Sequence, residues 1–211
     1  MIEISSLPKS ALIDTGVFIR FLGERPDDPK SLICKAFCMA MLDNNKELYI
    51  AAPTITEATR NRGRTRVPHT SGITVIAFDY LAAERLGIDG PETLITEIAK
   101  ETKTNKNYIK YDYMIAACAV RAHAKVLVAW DDDYRKICLS LGMPFKHPLE
   151  FLEPGHAAAW HKSVADADEL KKATDARRLE DEQMIEEERA ALEASMRDVQ
   201  GVINEELDMP A

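Results

Sequence analysis

Four short apolar runs recur along the first part of the chain, each separated from the next by a stretch with helical spacing: Ala11-Leu12-Ile13, Leu48-Tyr49-Ile50-Ala51, Ile73 to Phe78, and Lys125 to Ala129. A strand that is apolar at consecutive positions has to be covered on both faces, which few sheets other than parallel ones flanked by helices achieve. The pattern predicts an α/β domain with a mainly parallel central sheet in a three-layer arrangement. Helices are expected through Val17, Phe18, Phe21 and Leu22, over about 31–42, from near Pro53, over 80–86 and 91–103, over 108–124, and over 132–141 closing on Gly142. A last short strand is expected near Phe145.

The character changes after Pro154. The segment 155–211 is rich in Ala, Glu and Arg and holds 15 acidic against 7 basic residues, which accounts for the whole net charge of −8. The remainder carries 20 of each sign and is neutral, so overall acidity says nothing against a nucleic-acid ligand for that part. Two domains are expected, 1–154 and an acidic helical tail 155–211. Leu192, Met196, Val199 and Ile203 form one apolar stripe on a helix, which needs something to pack against. The tail has three readings: packing or dimerisation, masking of a basic groove, or docking of a partner.

Several classes are excluded. Hydrophobic residues make up 46%, too many for a disordered chain. No apolar run is long enough to span a bilayer, and the N-terminus lacks the basic-then-apolar build-up of a secretory signal. Cys34, Cys38, Cys118 and Cys138 form no C-x-x-C pair and read as packing residues. A cytoplasmic protein without membrane attachment is expected.

Four acids stand at element boundaries: Asp14 after the first run, Glu57 in the helix after the second, Asp112 near the start of the long helix, and Asp131 after the fourth run, with Asp132 and Asp133 behind it. In a parallel sheet the strand ends share one edge, where such folds place their sites. Carboxylates converging there without a cation repel and raise one another's pKa, whereas Mg²⁺ or Mn²⁺ neutralises them. Each acid also has an ordinary structural alternative. Asp14 can cap the following helix, Thr54-Ile55-Thr56-Glu57 fits a capping box, Asp112 can favour a helix dipole, and Asp132 or Asp133 can cap a helix.

These segments resemble the PIN-domain family of metal-dependent ribonucleases, especially VapC-type toxins. Ala-Leu-Ile-Asp14-Thr-Gly-Val-Phe-Ile is similar to the family's first strand and acid, and Ala52-Pro-Thr-Ile-Thr-Glu57 to the segment bearing its Glu. Asp112-Tyr-Met-Ile-Ala-Ala-Cys-Ala resembles its D-x-x-I-A-A-x-A helix, and Val126-Leu-Val-Ala-Trp-Asp131-Asp-Asp133-Tyr134 its T-x-D-x-D-F ending. Ala129 stands where the family commonly has Thr or Ser, and Tyr134 where it has Phe. Over about residues 9–150 the resemblance implies a PIN-like fold. It also implies an endoribonuclease using Mg²⁺ or Mn²⁺, with Asp14, Glu57, Asp112 and Asp131 as the acidic quartet and Asp133 as a supporting ligand. Implied partners are an RNA substrate and an antitoxin protein, while a second copy of the chain is the partner that the tail's dimerisation reading supplies. A non-catalytic PIN-like RNA-binding or scaffold protein is the alternative.

Arg60, Arg62, Arg64 and Arg66 follow Glu57 closely and are candidate phosphate ligands, against the alternative of a solvated loop. Tyr108, Tyr111 and Tyr113 either stack on bases or pack on the domain. The five histidines show no metal-ligand spacing and take no catalytic role.

Overall fold

The computed structural model describes residues 2–23, 28–61, 72–89 and 92–207, with the side chains at 61, 89, 180–181 and 187–207 left aside. Five strands form one wholly parallel sheet: β1 (Ser10–Ile13), β2 (Glu47–Ala51), β3 (Ile73–Ile76), β4 (Val126–Val128) and β5 (Phe145–Lys146), in spatial order β3-β2-β1-β4-β5. Helices α1 (Thr15–Leu22), α2 (Pro29–Asp43), α3 (Ala52–Asn61), α4 (Tyr80–Asp89), α5 (Glu92–Glu101), α6 (Lys106–Arg121), α7 (Asp133–Ser140) and α8 (Pro154–Leu207) complete it. The three-layer PIN-like fold is the one expected.

Strand periodicity explains the layers. Alternate residues of β1, β2 and β4 point to opposite faces. Ala11, Ile13, Leu48, Ile50, Val126 and Val128 enter the core formed with α1 and α2. Leu12, Ala51 and Leu127 enter the second core, formed with α4, α5, α6 and α7. The central strands are thus buried on both sides, which is why they read as continuous apolar runs. The third strand ends at Ile76 rather than Phe78, and the fourth begins at Val126.

Four helices stop in the same way. Asn45, Lys103, His123 and Gly142 take positive φ of 53°, 54°, 54° and 65° directly beyond α2, α5, α6 and α7. In each case the next residue's N–H reaches back to a carbonyl five positions earlier (Lys46 to Met41, Thr104 to Ala99, Ala124 to Ala119, Met143 to Cys138; 2.9–3.0 Å). This bond closes the last turn and redirects the chain.

The chain divides into two compact units, Met1–Val164 and Ala165–Ala211. Within the first, Ala157, Trp160 and Val164 of the opening turns of α8 pack on the core beside α1 and α2. The apolar stripe expected at Leu192, Met196, Val199 and Ile203 lies outside the described side chains. Among the described residues no helix is long and apolar enough to cross a membrane.

Candidate active site

The sheet's connections reverse direction at β1: β2 and β3 lie to one side of it, β4 and β5 to the other. A crevice opens at such a switch point, beyond the carboxyl ends of the two strands. Asp14 directly follows β1 and Asp131 lies three residues beyond β4, so both acids leave adjacent strands at that point. The Asp14 N–H donates to Val128 O at 3.1 Å, continuing the ladder past the end of β1.

Asp14 is also the N-cap of α1. Its Oδ1 accepts from Val17 N–H at 2.9 Å and its Oδ2 from Gly16 N–H at 3.1 Å. The capping and the acidic-site readings of this residue are therefore both compatible with its position. Gly16 matters here, because a Cβ on it would stand 3.0 Å from Asp14 Oδ2 and 3.4 Å from Arg20 Nη1. Thr15 and Thr54 are buried, and the Thr15 hydroxyl donates to Thr54 Oγ1 at 3.4 Å, tying the start of α1 to that of α3. The expected capping box is corrected by this placement. Helix α3 begins at Ala52, with Pro53 in its first turn, so Thr54 lies inside the helix. Glu57 follows one turn later on the same face.

Asp112 is the seventh residue of α6, beyond the first turn where a helix dipole acts, so the dipole does not account for it. Its Oδ1 accepts the Tyr134 hydroxyl at 3.1 Å. Asp131 Oδ1 accepts from Asp133 N–H at 3.1 Å, which shapes the turn into α7, whereas Asp132 stands at the helix cap without a side-chain capping bond.

Asp14, Glu57, Asp112, Asp131 and Asp133 together line a single hollow of about 370 Å³, with Thr15, Gly16, Ile19, Thr104, Tyr108 and Tyr134. Burial pushes Asp14 up to about 7, against the opposing pull of its two backbone hydrogen bonds and Arg20. Asp112 is pushed up to about 8, again by burial, which outweighs the Tyr134 hydrogen bond and is reinforced by Asp14, Asp131 and Glu57. Asp133 rises to about 6 through burial and the Asp131 charge. Arg60 ends the exposed face of α3 and, with Glu57, lines an adjoining hollow. Arg62, Arg64 and Arg66 lie outside the described residues. Three neighbours went unnoticed in the sequence: Arg20, the Thr15–Thr54 pair and the Tyr134 hydroxyl. Only Arg20 left a signal, four residues after Gly16, whose carbonyl it meets at 3.0 Å.

The strand-end acidic hollow on a parallel three-layer sheet is the site this fold presents, and comparison with known proteins supplies the family. The PIN domain family matches residues 11–139, and the chain belongs to it. Members of that family are generally nucleases that use divalent metal ions. Six chains of solved structures match. One is the crystal structure of VapBC2 from Rickettsia felis bound to a DNA fragment from their promoter. It shares 16% identity and a TM-score of 0.45, covering 65% of this chain and 97% of that one. No curated protein matches.

Proposed function

We propose that the chain is an endoribonuclease that hydrolyses RNA phosphodiester bonds with Mg²⁺ or Mn²⁺. The carrying observation is the convergence of five acidic side chains on one hollow at the sheet's switch point. The donors are carboxylate oxygens, with no thiolate or imidazole in the lining, which suits hard cations. Asp14 and Asp112 are raised chiefly by burial, with repulsion from Asp131 on both and from Asp14 and Glu57 on Asp112, and a divalent ion would offset that uncompensated negative charge. Among the described residues no group of three or more such side chains is placed to ligate one ion directly. Mg²⁺ requires no such cage, since it is usually held by one or two carboxylates, with water and substrate phosphate completing its shell.

In this scheme Asp14, Asp112 and Asp131 share the ligation of one or two ions, partly through bound water, and Asp133 supports them. Glu57 ligates or orients the attacking water. A bound ion supplies Lewis acidity, an activated water and stabilisation of the departing oxygen. Arg60 offers a guanidinium to a phosphate next to the scissile one, and Arg62, Arg64 and Arg66 are assigned the same task. The resemblance to VapC-type toxins extends the proposal to an antitoxin protein as partner, and the dimerisation reading of the tail extends it to a homodimer.

Incubation of the full chain with a mixed RNA pool, with and without EDTA, tests the reading. Mapped, EDTA-sensitive cuts are expected. Asp14→Asn should lower cleavage by more than about 100-fold while the fold persists, because Asn keeps one side-chain oxygen to accept from Val17 N–H and cap the helix, giving up only the bond from Gly16 N–H. Wild-type turnover in that variant overturns the scheme.

A further inference from the structure

A second hollow, of about 290 Å³, is lined by Glu57, Arg60, Asn105, Asn107, Tyr108 and Tyr111. It shares Glu57 and Tyr108 with the acidic hollow, so the two adjoin. Their chemistry differs: one holds five carboxylates, the other two phenol rings, two amides, a guanidinium and the single shared Glu57 carboxylate. We infer that this second hollow is a nucleobase subsite, receiving one unstacked base of a single-stranded RNA beside the phosphate to be cut. The inference rests on the ribonuclease reading of the acidic hollow.

Three observations carry it. Tyr108 is 65% exposed, a large ring left in water at the wall shared by the two hollows. Tyr111, one turn on, lies on the same face of α6 and lines the hollow with the part of its ring that does not pack on the second core. The nearby Tyr113 behaves in the opposite way: it is fully buried, with its hydroxyl 3.0 Å from Ser140 Oγ. Packing therefore explains Tyr113 and leaves Tyr108 unexplained, while a base has a π-face that such a ring stacks on.

The amides suit the edge of a base. Asn105 Oδ1 accepts the Asn107 backbone N–H at 2.9 Å, which orients the Asn105 amide and makes its NH₂ the outward end. Asn107 adds an exposed amide with both a donor and an acceptor. Unpaired bases are recognised by such a combination of a ring and edge hydrogen bonds. Arg60, one turn after Glu57, supplies a cation for the backbone of the same nucleotide.

The test measures binding separately from cleavage. Fluorescent 2′-O-methyl oligoribonucleotides are titrated with the full chain in Ca²⁺, using the four homopolymers, a mixed strand with one abasic nucleotide moved along it, and a fully abasic strand. Tyr108→Ala should weaken binding of a base-bearing strand by about 5- to 150-fold, the usual span for loss of one base–ring stack. Tyr108→Phe should retain wild-type affinity. An abasic nucleotide at one position should reproduce the loss in the wild type and add nothing to it in Tyr108→Ala. Equal affinity of Tyr108→Ala and wild type, an equal loss on the fully abasic strand, or no binding of any strand by the wild type overturns the inference. The nuclease reading fails separately: Tyr108-dependent base binding without metal-dependent cleavage removes that reading and leaves the subsite. Cleavage with Tyr108-independent binding removes only the subsite.

Discussion

Asp14 combines two demands that usually oppose each other, since it is 7% exposed yet belongs to an acidic cluster. Two backbone N–H groups and Arg20 partly offset its desolvation, but they do not restore an ordinary carboxylate. Among the described residues, the Tyr134 hydroxyl is the one donor to the Asp112 side chain. Removing that donor with Tyr134→Phe favours the protonated acid and raises the Asp112 pKa further. Protons then compete better with metal, so the pH at which Mn²⁺ binding is half-maximal should move upward, as calorimetric titration across pH would show. An unchanged midpoint would mean that the hydroxyl does not act on the site. The five acids were legible in the sequence because each follows an apolar run or opens a motif. The Tyr134 contact was not, since a phenol and a carboxylate 22 positions apart give no local sign of meeting.

Helix ends show what elements contribute. His123 is exposed and held at φ 54°, a conformation that costs an L-residue roughly 1–2 kcal/mol. His123→Gly relieves that strain, and the extra freedom of glycine in the unfolded chain returns part of the gain. Net stabilisation of up to about 1 kcal/mol is expected in urea unfolding. A loss of stability would mean that the imidazole makes a compensating contact. Element types were readable from apolar periodicity, and the closing turn at Gly142 from its glycine. The matching turns at Lys103 and His123 were not, because neither residue advertises a left-handed backbone, and at Asn45 the weaker preference of asparagine for that region gave only a faint sign. At α3 the two sequence signals disagreed: Pro53 marked the first turn correctly, whereas Ala51 passes directly from strand into helix, so the T-x-x-E pattern falls one turn too deep to cap.

At the scale of the molecule, the raised acids couple folding to pH. Asp14 and Asp112 rise from 3.8 to about 7 and about 8 on folding, so the folded state holds more protons than the unfolded one between roughly pH 4 and 8. Their contribution to stability is complete below that window and is lost as pH rises through it. The metal-free chain should melt at a lower temperature at pH 8 than at pH 6, and Mn²⁺ should raise the melting temperature more at pH 8. Equal shifts at both values would count against metal binding by these carboxylates. The start of α8 gives a second expectation. A chain ending at Val164 keeps Ala157, Trp160 and Val164 on the core, whereas one ending at Pro154 loses them. The shorter chain should be less stable by more than about 1.5 kcal/mol in urea, the scale of one buried apolar side chain. The change in composition near Pro154 was legible in the sequence. The use of the next ten residues as core cover was not, because their spacing alone does not say what they meet.

The bond from Asp14 N–H to Val128 O ties the acid to the main chain of the neighbouring strand. The position of Asp14 against β4 is thereby inherited from the rungs of the sheet, not from the fit of side chains around it. Drift elsewhere in the interior can soften or melt this protein, but it has little leverage to slide that acid's backbone along the neighbouring strand.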